Sequence, residues 1–158
     1  VYKRQAGTLH AIGAGILLAE IQQNSNTTYR VYDYGRKDAK GNLRPLHVEK
    51  AQAVAKLSPA QPTVQYPAVP MPGGAVRKLA HCNYFASDLV MVTSSVEFAV
   101  DNTSFQHLLV LEGNGVLEAT GNYPIQKGDS ILLPANFGQY SIRGCCQYIV
   151  TKAGKAAR

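Results

Sequence analysis

The chain has 158 residues, 46% of them hydrophobic, with 16 Lys and Arg against 10 Asp and Glu for a formal charge of +6. That apolar content is enough for a real core in one domain or a little more, which excludes a disordered tail; no apolar run approaches the roughly 20 residues that span a bilayer, and the N-terminus has no apolar signal core, so a soluble cytoplasmic protein with no membrane partner is expected. The basic residues are dispersed and partly terminal, at Lys3, Arg4, Lys152, Lys155 and Arg158, so no nucleic-acid partner is expected and local phosphate binding accounts for the excess.

Three cysteines, Cys82, Cys145 and Cys146, form neither an even framework nor a CxxC spacing, so no disulfide is expected. On an extended strand Cys145 and Cys146 point to opposite faces, and at least one is expected in the core as a small hydrophobe.

In chain order, VYKRQ at residues 1–5 is the peptide encoded by GTGTATAAGAGACAG, the end of a widely used transposon sequencing adapter, and natural sequence is expected to begin at Ala6. Residues 7–12 and 15–23 read as two strands turned at Gly13 and Gly15, and TTYRVYDY as a third. Alternation puts Glu20 on one strand face with Ile16, Leu18 and Gln22, a setting that would raise its pKa toward acid/base use. It puts Thr28, Arg30, Tyr32, Tyr34 and Arg36 on one face of the third strand, so both guanidiniums are expected to look into one cavity. Leu46, Val48, Ala51, Val54 and Leu57 recur at helical spacing after Pro45, which predicts a short helix over 46–57.

Residues 58–75 hold Pro59, Pro62, Pro67, Pro70 and Pro72 and read as a linker. From residue 76 short strands return: VRKLAHCNYFASDLVMV, SSVEFAV, FQHLLVLEG, GVLEAT, DSILLP, YSIRG and CQYIVTK. This pattern predicts a sandwich or small barrel.

The run AGTLHAI, then Gly, an apolar stretch ending in Glu, QQNS and YRVYDYGR resembles the type I phosphomannose isomerases, zinc enzymes built from cupin barrels. The likeness is dense over 6–48, including the D-x-x-G-N-L-R-x-L-H stretch, and looser over 82–152. Gln5 departs from the family's Pro-Ala-Gly-Thr-x-His. Downstream, K-G-D with Gly128 and Pro134 keeps the G-x5-P half of a cupin motif, but the expected metal-binding His falls near Gln139 and Tyr140, and only His107 lies upstream. A metal-free second barrel is therefore expected.

The resemblance implies an all-β fold: a cupin-like double-stranded β-helix (jelly-roll) barrel at 76–158, preceded by strands of an incomplete catalytic barrel and one short helix at 1–57, with 58–75 between them. It implies a sugar-phosphate substrate and interconversion of mannose 6-phosphate and fructose 6-phosphate by zinc-assisted proton transfer through an enediolate. His10 corresponds to a Zn2+ ligand whose companions lie upstream of this chain, Arg30 to the active-site arginine, Glu20 to an active-site glutamate, and Arg36 to a second basic residue that binds substrate. Because one ligand cannot hold zinc, the chain alone is expected to be inactive. His47, His81, His107 and Glu112 are read as structural. The rival reading is a non-catalytic cupin-like sugar-phosphate-binding or assembly module, and no feature of the sequence sets an oligomeric state.

Overall fold

The computed structural model describes residues 6–25, 27–59 and 64–154; the expected adapter peptide at 1–5 lies outside them. The chain divides into two compact units, Tyr2–Thr63 and Val64–Arg158.

The larger unit is antiparallel β structure, with strands β1 (Ala68–Met71), β2 (Gly74–His81), β3 (Phe85–Val92), β4 (Ser95–Val100), β5 (Gln106–Glu118), β6 (Asn122–Gln126), β7 (Ser130–Leu133) and β8 (Gly138–Ala153). They form one sheet in the order β1-β2-β3-β8-β5-β6, with β4 also paired to β8 and β7 to β5. Period-2 alternation explains why each strand stays put: in β4, Val96 and Val100 are buried while Ser95, Glu97 and Ala99 face out, and a one-residue slip would reverse both faces.

Two long strands organise the unit. Strand β8 pairs with β4 through residues 138–143 and with β3 through 146–153, while β5 pairs with β7 before its bulge near Val110 and Glu112 and with β6 after it. Strand β8 changes its outer partner at Gly144, which faces Gly115, whereas β5 changes at its bulge. Gly144 has φ +143°, and a Cβ there would lie 2.6 Å from the Gly115 Cα, an approach only glycine permits. The sequence reading broke β5 and β8 at these glycines, whereas in the structure pairing continues through them.

The unit is packed around a core of Val90, Val92, Val96, Val100, Leu108, Val110, Leu117, Ile125, Leu133, Tyr140, Ile142, Cys146 and Tyr148. Cys146 is buried and Cys145 exposed, as opposite strand faces require. Ser87 and Thr151 are the buried polar residues, joined Oγ to Oγ1 at 2.9 Å, which satisfies both hydroxyls away from water.

Two strands were not anticipated. Strand β1 lies within the proline-rich stretch read as a linker, and β6 contains Pro124. Both close the ends of the main strand order, where a residue without an N–H donor is tolerated.

The smaller unit departs from expectation more sharply. Among its described residues no strand forms at 7–12, 15–23 or TTYRVYDY, and its one β-bridge joins Lys37 and Leu43. A strand needs a neighbour to take up its N–H and C=O groups, and these segments have none here. Helix α1 spans Val48–Val54 rather than 46–57. Ala51 is its buried residue, whereas Leu46, Val48, Val54 and Leu57 are exposed. With so little apolar surface packed, nothing extends the helix beyond two turns.

Candidate functional site

The chain around 30–47 is held by local hydrogen bonds. The His47 N–H donates to the Arg30 carbonyl at 2.7 Å, and the Arg30 N–H donates to His47 Nδ1 at 3.3 Å. Because Nδ1 accepts, the imidazole proton of this contact lies on Nε2. Arg30, half-buried, is thus strapped to the residue that opens α1.

Between the two candidate arginines the backbone turns. The Arg36 N–H donates to the Asp33 carbonyl at 3.0 Å, and Tyr34 and Gly35 take φ of +54° and +67°. The expected shared strand face for Arg30 and Arg36 is therefore absent, since a left-handed turn breaks the alternation. The Asp33 carboxylate gathers the guanidiniums instead. Arg44 donates Nε to Oδ2 at 2.6 Å and Nη2 to Oδ1, a bidentate fork. Arg36 Nε lies 4.0 Å from Oδ1, and its guanidinium sits 5.7 Å from the Tyr34 ring centroid.

The hydrogen bond from Arg44 holds the Asp33 carboxyl below its ordinary value, the fields of Arg44, Arg36 and Arg30 add to that, and partial burial opposes it. Asp33 stays ionised at neutral pH with Arg44 as its direct partner. With Arg44 forked onto the carboxylate, the more distant guanidiniums of Arg36 and Arg30 keep positive charge of the kind a phosphate monoester would match.

The other candidates do not join this cluster. His10 is exposed, with Nδ1 3.0 Å from the Thr8 carbonyl; a carbonyl can only accept, so Nδ1 carries the proton and the Nε2 lone pair is left for a ligand. That tautomer suits zinc. Yet among the described residues no three His, Cys, Asp or Glu side chains come together to hold a metal. The residues present do not compose a zinc site, and His10 supplies at most one ligand. Glu20 is exposed, and Ile16 and Leu18, read as its apolar flank, are exposed too, so the expected apolar enclosure of the carboxylate is absent.

Sequence reasoning missed Asp33, Arg44 and the strap from His47. Asp33 alternates away from Arg30 and Arg36 on an extended strand, and only the turn at Tyr34–Gly35 brings it to Arg36. Arg44 was visible only as part of the GNLR run.

In the larger unit Tyr140 Oη donates to Gln106 Oε1 at 2.7 Å, and the Tyr148 hydroxyl is buried as well. Burial pushes both phenols far above their ordinary range. His107 Nε2 sits 2.8 Å from Ser130 Oγ and His81 Nε2 2.7 Å from Asp88 Oδ1. Glu118 is held below its ordinary value by hydrogen bonds from Arg143 and Ser141.

Comparison with known proteins places these features. A family profile described as mannose-6-phosphate isomerase, cupin domain, matches residues 75–153. Mannose-6-phosphate isomerase ManA of Bacillus subtilis is 38% identical over 149 residues, covering 92% of this chain and 46% of the relative. The Streptococcus mutans mannose-6-phosphate isomerase is 32% identical over 152 residues, covering 95% and 47%. The crystal structure of the Bacillus subtilis mannose 6-phosphate isomerase superposes with a TM-score of 0.70 at 32% identity, covering 81% of this chain and 41% of that one. The chain spans about half the length of the relatives it matches. With a cupin-domain match from residue 75 to the end of β8, the chain belongs to the mannose-6-phosphate isomerase family.

Proposed function

We propose that this chain contributes to an aldose-ketose isomerase that interconverts mannose 6-phosphate and fructose 6-phosphate. The observation that carries this reading is the Asp33 cluster, in which Arg44 neutralises the carboxylate and Arg30 and Arg36 retain surplus charge for an anion. Arg30, fixed through its backbone to His47, holds the phosphate or the developing enediolate oxygen; Arg36, 63% exposed, adds a second, looser contact to the phosphate. A donor at a developing oxyanion is worth about 10²–10³ in rate.

Isomerisation also needs a group that moves a proton between C1 and C2, and Glu20 is the carboxylate nominated for it. Zinc, when bound, would polarise the carbonyl, and His10 Nε2 is the atom this chain would offer it. The described residues complete no such site.

The test is a hybrid in which this chain replaces the matching half of the Bacillus subtilis enzyme, assayed for conversion of mannose 6-phosphate. Turnover is expected. Arg30→Ala should lower kcat/KM by about 10²–10³, and Arg36→Ala should act mainly on KM. A folded hybrid that binds the sugar phosphate but never turns it over would favour the non-catalytic sugar-phosphate-binding or assembly module instead.

A further inference from the structure

His47 has unusual chemistry for its place in the fold. It stands at the N-cap of α1, where Ser, Thr, Asp or Asn ordinarily offers a side-chain oxygen to the first turn. The His47 side chain makes no such bond. Its carbonyl is taken up by the helix, accepting from the Ala51 N–H at 2.8 Å. The acceptor that residue 47 turns toward Arg30 is therefore its ring nitrogen Nδ1.

Two bonds join the pair, from the His47 N–H to the Arg30 carbonyl at 2.7 Å and from the Arg30 N–H to Nδ1 at 3.3 Å. Facing residues of an antiparallel ladder exchange two bonds in the same way, and here the imidazole stands in for one of the carbonyls. Both backbone polar groups of residue 30 are used, so the chain on each side of its Cα is held and the side-chain torsions are what remains free. The Tyr29 ring lies 6.2 Å from the imidazole, centroid to centroid, with the planes inclined at 52°, a tilted contact of the kind aromatic pairs favour.

We propose that His47 is a positioning residue that acts on the substrate through Arg30. Its Nδ1 fixes the backbone from which the guanidinium reaches the phosphate or the developing oxyanion. A side-chain acceptor is needed at 47 because the carbonyl there serves the helix. The inference deepens the isomerase reading and rests on the role given there to Arg30.

The experiment uses the hybrid isomerase and two substitutions that separate the properties of the imidazole. His47→Phe keeps a flat ring beside Tyr29 and removes the acceptor. His47→Asn gives up the ring and keeps an acceptor, an amide oxygen on the same γ carbon, with a side chain that also suits a helix start. His47→Phe is expected to lower kcat/KM about tenfold, less than the roughly 10²-fold that a misplaced group can cost, with the same division between kcat and KM as Arg30→Ala. His47→Asn should retain most of the parent rate. In the Arg30→Ala background His47→Phe should cost nothing further, because the residue through which it acts is gone. A His47→Phe hybrid as active as its parent, a His47→Asn hybrid as impaired as His47→Phe, or a loss that adds in full to that of Arg30→Ala would overturn the proposal. Amide exchange on the full chain needs no turnover: the Arg30 N–H should be protected in the parent and in His47→Asn and exchange freely in His47→Phe. A hybrid inactive throughout would count against the isomerase reading, and the exchange pattern would then decide this one, since equal protection of Arg30 in all three chains overturns it.

Discussion

TTYRVYDY and SSVEFAV have the same texture, β-branched and aromatic residues alternating with polar ones, yet they end in different states. The second lies against β8 over six registered pairs and buries Val96 and Val100. The first pairs with no strand, and Tyr29, Val31, Tyr32 and Tyr34 stay exposed. Alternation states which face a strand would bury; a hydrogen-bonding neighbour decides whether the strand exists. Across 6–59 the described apolar side chains are mostly in water, and the polar interactions around Asp33 and His47 give that stretch much of its local order.

The largest effects should fall where pairing and burial coincide. Leu108→Ala and Ile142→Ala, at side chains with no exposure, are expected to cost about 2–5 kcal/mol each in urea denaturation. Gly144→Ala should follow at about 1–3 kcal/mol from backbone strain alone, with more from the clash against Gly115, and its signature is loss of protection in β5 and β8 by amide exchange. Ser87→Ala strands the buried Thr151 hydroxyl and should cost about 1–3 kcal/mol; adding Thr151→Val should cost less than the sum of the single changes.

Smaller effects test the other unit. Asp33 is depressed in the folded state, so its contribution is complete above the ordinary carboxylate value and fades only as pH falls through the lower folded value. A carboxyl-carbon NMR titration should show this midpoint below the ordinary range, and Arg44→Ala should return it upward. Smallest of all, Leu17→Ala, at a side chain 91% exposed, should change stability by no more than about 0.5 kcal/mol. A loss as large as that of Leu108→Ala would show that the apparent contrast between the units is wrong.

What could be read from sequence follows the same division. The central strands were legible because Val90, Leu108, Ile142 and Tyr148 sit in short apolar runs bounded by turn residues, and the cupin-like character came from the family resemblance with its G-x5-P pair Gly128 and Pro134. Strands β1 and β6 were not, because Pro70 and Pro124 mark positions that only an edge excuses. The true lengths of β5 and β8 were hidden because Gly115 and Gly144 look like stops. Of the candidate site, Arg30 and Arg36 were named from the family pattern but Asp33 and Arg44 were not: Asp33 meets Arg36 and Arg44 only through a turn and a loop closure, and no local periodicity encodes either.

Strand β8 is the sixteen-residue partner of β3, β4 and β5 alike, and it follows all three in sequence. A ribosome delivering this polypeptide therefore exposes three sticky edges before it delivers the segment that closes them. The core of Val90, Val96 and Leu108 cannot shut in instalments; it waits for β8 and then forms at once, so folding is slow to start, all-or-none, and most at risk of aggregation in the interval before β8 emerges.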